Sequence, residues 1–424
     1  MTDTSLPKKA ELTLIRGGKT ATGEFNRLPL ADKLRQFRQA PSKKRMALIL
    51  EDPEGKQLTQ ALRPQELYWT FNDIGANDAM ELLEFASPEQ RGFFLDMELW
   101  ERSAFSQRKA LEWLGWLLHA GEETVVEQLP HLDLELLLLI LFKEITVGGG
   151  VGELLPDDER TADWNHSFDN LYFISFKNPK NSRLIGTFLD VVFRVDRHLY
   201  QSLMEGVKNE VESELEEEAF AFRTGRLADL GFPGREEAVF IYARIDPGSF
   251  VPSEEKKMLL PGGVETLPVS LQDDTLLARA LRRLGSEELI LELNYLINSA
   301  LVVDETSFSD SEAMQAIMQR VSGYLTIALE FLCGDNDEQA ASILERESLK
   351  RLFQLGHSIV RGLIKKAEGV VGSNYATGRV LDGLRAAHPR FFRGLEGGNV
   401  DGYREFSSLE DVTTIEEFLE LIME

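Results

Sequence analysis

The sequence predicts a mainly α protein, with an N-terminal helical-repeat array followed by a larger helical domain holding at most a few short strands. Three observations point there. Proline followed by two Glu/Gln residues recurs at Pro64 and Pro88, and proline suits the first helical position because its missing N–H has no intrahelical partner to lose. Apolar residues return at helical spacing, as in Phe93, Phe94, Met97 and Trp100, which share one face. Only two stretches favour strands, 168–176 and 238–245, and each reads as a short strand or as a buried irregular segment.

In chain order, a basic arm over 1–46 precedes a helical-repeat domain over 47–147, and a second, mainly helical domain fills 148–424, with a loop-rich stretch at 223–270. Residues 28–40 form a short helix with Leu30, Leu34 and Phe37 on one face and Pro41 closing it. Ser87 and Gln90 have capping-box spacing. The helix over 107–119 stops at Gly121, and Asp133 caps the leucine-rich helix that follows. Glycines at 148–150 and 152 break the chain, since a run of them cannot hold a helix. One long helix is expected over 182–222; its glutamates read as a solvated face rather than a cation patch. Further on, Ser286 opens a helix, Ser309 and Glu312 box another that stops near Gly334, and Asp337 starts a long one to about 368. Thr413 and Glu416 box the last.

Composition narrows the function classes. With 43% apolar and 28% charged residues in 424, the chain is globular. Its net charge of −25 disfavours nucleic acid and anionic membrane surfaces. Residues 1–50 are the exception, carrying eleven Lys/Arg against four Asp/Glu, a head that binds an anionic partner such as nucleic acid or, more often, packs on its own acidic body or is solvated. The longest apolar run, LLLLILF over 136–142, falls far short of the ~20 residues a spanning helix needs. The N-terminus carries no apolar signal core, so a cytoplasmic protein is expected. The single cysteine, Cys333, excludes an internal disulfide framework and reads as a small buried hydrophobe.

Catalytic constellations are absent from the motif record. Gly18-Lys19-Thr20 matches the end of a phosphate loop, but the first glycine would fall at Thr13. The segment 334–338 suggests a calcium loop, yet its turn glycine would fall at Ala340 and its bidentate glutamate at Arg346; a helix stop followed by a helix cap explains it. The six histidines lack the i, i+4 pairing of a helical zinc site, and His357 reads as a hydrogen-bonded core residue. Asp157, Asp158, Glu159 and Asp163 near His166 supply negative charge to a helix N-terminus more simply than they build a metal site. No G-x-S-x-G elbow occurs.

The segment from Leu58 to about Val147, with LRPQEL, NDAMELLEFASPEQRGFFLDMELW and WLGWLL, resembles the intracellular helical N-domain of MgtE-type magnesium transporters. Flagellar motor switch proteins show similar helical units. The whole chain, including LNYLINSALVVDE, LFQLGHS and YREFSSLEDV, is similar to a bacterial family of unknown function. These resemblances imply a bacterial source and no known activity, and no metal-binding residue can be placed from them.

The expected function is therefore a non-catalytic scaffold or regulatory module binding another protein. The alternatives are a magnesium-responsive regulator and an enzyme whose site is assembled from distant residues. Trp113 and Trp116, three apart beside a leucine face, and Lys43, Lys44 and Arg45 in the basic head are the candidate partner-binding residues, with core packing as the competing role for the tryptophans. No catalytic or cofactor-binding residue is assigned, and metal, cofactor and oligomeric state are left open.

Overall fold

The computed structural model describes residues 24–75, 79–101, 103–150, 166–256, 274–306, 310–370, 374–397 and 400–423. Gly18, Lys19 and Thr20, and the acidic group from Asp157 to Asp163, lie outside them, as does the side chain of Lys43. The chain divides into two units, residues 1–90 and 91–424. The fold class is mainly α, as expected.

In the first unit, helices α1 (Leu30–Gln39), α2 (Ser42–Leu50), α3 (Gly55–Gln60), α4 (Pro64–Ile74) and α5 (Met80–Phe85) follow one another through short turns, and α6 (Pro88–Glu98) begins at its end. The capping box forms as its spacing predicts. Ser87 N donates to Gln90 Oε1 at 2.8 Å and Gln90 N to Ser87 Oγ at 3.2 Å. The same glutamine donates Nε2 to the carbonyls of Thr59 and Leu62, fastening the cap to the end of α3. The inward face of α1 differs from expectation. Lys33 is buried beside Phe37 while Leu30 is exposed. Its ammonium lies 2.8 Å from Asp52 Oδ2 and 3.0 Å from Glu54 Oε2, and these carboxylates more than offset the cost of burial. Hydropathy alone could not place that lysine inside.

The second unit opens with the hairpin β1 (Trp100–Glu101) and β2 (Ala104–Phe105), whose tip carries Ser103 at φ 69°. Helices α7 (Gln107–Ala120), α8 (Glu122–Gln128) and α9 (Leu134–Glu144) follow; Gly121 ends α7 at φ 121°, a conformation side chains resist. Leu136 to Leu141 are all buried, which fits a central helix. Asp133 precedes α9 but makes no capping bond. Its carboxylate instead accepts from Arg226, which also clamps Asp96 with two bonds of 2.7 and 2.8 Å. The strand β3 (Ile145–Gly149) runs into the glycine-rich break and pairs antiparallel with β4 (Tyr172–Phe176). So 168–176 does yield a strand.

The long helix expected over 182–222 is three: α10 (Ser182–Val195), α11 (Arg197–Asn209) and α12 (Glu212–Asp229). Asp196 breaks the first by capping the second, accepting from Leu199 N at 2.9 Å. Glu210 and Val211 are extended at the next break. The segment 238–245 is not a strand. After α13 (Arg235–Ala238) it makes a 3₁₀ turn, Val239–Tyr242, with Val239 and Phe240 exposed, and β4 pairs with β3 and, through Ile174, with an isolated bridge at His166.

The remainder is α14 (Leu276–Leu284), α15 (Glu287–Asp304), α16 (Ser311–Cys333), α17 (Asp337–Arg346), α18 (Leu349–Lys366), α19 (Tyr375–Arg385), a short β5–β6 pair (Phe391–Phe392 with Tyr403–Arg404) and α20 (Leu409–Met423). Ser286 caps α15 as expected, whereas Asp310 caps α16; Ser309 is outside the described residues. The long helix predicted from Asp337 breaks at Glu347, where Ser348 starts α18 by accepting from Arg351 N. The last helix starts at Leu409, before Thr413, because Ser407, Ser408 and Asp411 supply its first-turn bonds.

Helices α16 and α18 cross at glycine. A Cβ on Gly356 would lie 1.9 Å from the carbonyl oxygen of Tyr324, and one on Gly323 would lie 1.9 Å from that of Phe406. Mid-helix glycine costs roughly 0.5–1 kcal/mol relative to alanine, so the close approach must return at least that much. Gly356→Ala should therefore lose about 3 kcal/mol in chemical denaturation through overpacking. Gly362→Ala on the same helix, where a Cβ meets nothing within 4 Å, should be neutral or stabilising by about 0.5–1 kcal/mol.

Candidate functional site

The crossing gathers polar side chains from six parts of the second unit. Helix α16 contributes Arg320 and Tyr324, four residues apart and hence on one face. Helix α18 contributes Phe353, His357 and Arg361 at the same interval. Tyr242 closes the 3₁₀ turn, Asp304 ends α15, and His388 sits after α19, just before Pro389. Glu405 follows β6, in a segment fixed by the clamp of Arg404 on Asp411, whose two bonds are each 2.7 Å.

Asp304 is the hinge of the charge arrangement. A carboxylate on the last residue of a helix opposes the helix dipole, so it is not there for helix stability. It accepts from Arg320 Nη2 on one oxygen, and its other oxygen lies 2.9 Å from His388 Nε2. Burial pushes its pKa upward, but His388 and Arg320 outweigh burial and hold it below the usual carboxylate range. Burial also opposes the charge on Arg320, and its anionic neighbours, Asp304 and Glu405 among them, act against that cost. Glu405 is raised by burial against the pull of Arg320 and Arg390, whose Nε lies 3.8 Å from Glu405 Oε1.

Rings frame these charges. Tyr242 lies 5.0 Å from His388, 5.2 Å from His357 and 5.3 Å from Phe353, centroid to centroid, and Tyr324 lies 5.8 Å from His357. Burial lifts both tyrosines above their ordinary pKa, so their hydroxyls stay protonated donors. Burial, with the positive field of Arg361 and its neighbours, pushes His357 down to about 4, leaving a neutral ring.

This centre is incompletely hydrogen-bonded. Among the described residues, Arg320 Nε, Tyr242 Oη, Tyr324 Oη, His357 Nδ1, Arg361 Nε and Glu405 Oε2 are buried without a hydrogen-bond partner, although Arg320 lies close enough to act on the Tyr242 phenol. Most buried polar atoms in folded proteins are paired, and each exception asks for an explanation. The set is rich in donors: two arginine N–H groups and two phenols, with Glu405 Oε2 as acceptor and the neutral imidazole able to serve either way.

The residues singled out from sequence fall elsewhere. Trp113 is buried, 6.0 Å from Phe94 and 5.0 Å from Trp116, which is half-buried. Arg45 donates to the carbonyls of Ala40 and Arg38 and covers the ring of Phe37, while Lys44 is exposed. These two groups lie in different units, and neither contributes to the centre at Arg320. His357 is a core residue, as expected, although its Nδ1 is unpaired. Cys333 is half-buried rather than buried, and burial raises its thiol, so it is not an activated nucleophile. Asn336 caps α17, which accounts for the 334–338 segment. Among the described residues no group of three or more His, Cys, Asp or Glu is placed to hold a metal ion, and no helix is long and apolar enough to cross a membrane.

Sequence reading missed Asp304, Arg320, His388 and Glu405 because they belong to no short motif; Asp304 and His388 are 84 residues apart. Two signals were present: an arginine within the apolar run of α16, and glycines inside two helices. The chain belongs to a family of unknown function (DUF6178), whose model matches residues 22–424. No curated protein and no solved structure matches it.

The depressed pKa of His357 fixes the sign of an acid effect. Protonation favours the unfolded state, so its contribution is complete above an unfolded pKa of about 6.5 and is lost as pH falls toward about 4. Wild type should lose about 3 kcal/mol across that window relative to His357→Phe. Denaturation of both at pH 7 and pH 4.5 measures the difference; equal losses would show that His357 is not buried neutral.

Proposed function

We propose that this member of a family of unknown function binds a small oxyanion at the centre formed by Asp304, Arg320, Tyr242, Tyr324 and Glu405. One observation carries the reading: among the described residues, Arg320 Nε and the hydroxyls of Tyr242 and Tyr324 are buried atoms with no hydrogen-bond partner. Each such donor costs roughly 1–3 kcal/mol, and an oxygen-rich guest satisfies several at once. Charge agrees with this. Arg320, Arg361 and Arg390 outnumber Asp304 and Glu405 in a chain whose net charge is −25. Two residues of the centre reach toward the surface: Tyr242 is half-buried and the side chain of Arg390 is 52% exposed. Reversible anion binding suits a regulatory module.

A second reading has its own support. Phe240 is 61% and Val251 73% exposed, in the strap that carries Tyr242, and such apolar side chains suit contact with another protein. The regulatory and protein-binding readings are compatible, since a ligand beside Tyr242 would act on the same strap.

Calorimetry on the full chain tests the first reading with inorganic phosphate, sulfate and succinate. At least one should give saturable heat, and Arg320→Gln should weaken it about 10- to 100-fold, the loss of one charged hydrogen bond. Heat from none of them, or heat unchanged in a folded Arg320→Gln variant, would refute it. Magnesium titrated alongside addresses the cation-responsive alternative: saturable magnesium heat would favour that reading instead. For the second reading, Phe240→Ser should abolish any defined partner complex while leaving anion heat intact, measured by co-purification and the same calorimetry.

A further inference from the structure

The donor-rich centre contains one feature that a fully ionised guest would not tolerate. Glu405 is 5% exposed, and its Oε2 is buried with no partner. Its Oε1 faces Arg390 Nε at 3.8 Å, and both Arg320 and Arg390 act on the carboxylate. Burial raises its pKa, and those two cations pull the other way, toward the ionised form that prevails at pH 8 and is acceptor-only. An anion brought among Arg320 Nε, Tyr242 Oη and Tyr324 Oη would then meet a carboxylate lone pair. Like charges brought together repel strongly where water is scarce. The repulsion becomes attraction if the guest itself supplies a hydrogen to Glu405.

Resting on the oxyanion reading above, we infer that the centre selects a protonated tetrahedral oxyanion, inorganic hydrogen phosphate, with Glu405 accepting its P–OH hydrogen while Arg320, Tyr242 and Tyr324 donate to its other oxygens. Hydrogen phosphate has the size and charge of sulfate but keeps an acidic hydrogen near neutrality, which sulfate lacks. Glu405 is thus the discriminating residue: a ligand without that hydrogen leaves a buried acceptor unpaired against a second negative charge, and unpaired buried polar groups discriminate far better than shape does. No covalent step is involved. A phosphomonoester is the other source of the same chemistry, and it is distinguishable. Its second pKa is about 6, so at pH 8 it has lost the hydrogen that inorganic phosphate retains.

The experiment is calorimetry on the full chain at pH 8 with inorganic phosphate, sulfate and methyl phosphate. Phosphate should bind at least about 10-fold more tightly than either of the others, the worth of one charge-assisted hydrogen bond. Glu405→Gln, whose amide can either donate or accept, should bring sulfate to within about threefold of phosphate. Sulfate or methyl phosphate binding as well as phosphate to wild type would overturn the selectivity while leaving oxyanion binding standing. So would a Glu405→Gln variant that kept its preference. Saturable heat from none of the three would overturn both. If Glu405→Gln does not fold, the wild-type comparison of three anions still decides.

Discussion

The approach of α16 to α18 governs the C-terminal half of this protein. Helix axes come close only where side chains are small, and here Gly356 meets the backbone of Tyr324 while Gly323 meets that of Phe406. Everything at the charged centre depends on these contacts. Gly356 lies one residue before His357 and lets the face bearing Phe353, His357 and Arg361 press against Tyr324. Gly323 admits the segment carrying Glu405 and Phe406, which Arg404 and Asp411 hold in place. A larger residue at either position would push apart the groups that now act on one another.

The ionic groups of the second unit fall into two kinds. The Arg226 network is closed: its guanidinium donates to both oxygens of Asp96 and both of Asp133, in bonds of 2.7 to 2.9 Å. It ties the end of α6, the start of α9 and α12 together, and nothing is left over. The Arg320 centre is open. Arg320 satisfies Asp304 through one nitrogen and leaves Nε unpaired, and two phenols and a carboxylate oxygen beside it are in the same condition. A purely structural buried ion pair gains little over a hydrophobic replacement and is strongly penalised when incomplete. Incompleteness at so densely charged a place is what motivates the oxyanion proposal.

Punctuation was largely legible in the sequence, and continuity was not. Ser87 with Gln90, Gly121, Ser286 and Gly334 mark helix ends through local bonds and backbone conformation, which depend on neighbours in the chain. The breaks at Asp196 and Glu347 were read as helix interior. Aspartate and serine can either sit in a helix or cap the next one, and apolar periodicity runs past both points without interruption. The face predicted for α1, Leu30, Leu34 and Phe37, omits the buried Lys33 for a related reason. Its burial depends on Asp52 and Glu54, carboxylates that α1 itself does not supply.

The sequence by itself determined the mainly α class, the short β content, most helix starts and stops, and membership of a family without a known activity, because these follow from spacing, turn chemistry and composition. It also held the two helical glycines, whose meaning appears only when their partners are known. Tertiary structure alone decided that Asp304, Arg320, His388 and Glu405 meet. Their pairing is a matter of which helices cross and how closely, and no periodicity along the chain encodes a distance between residues that far apart.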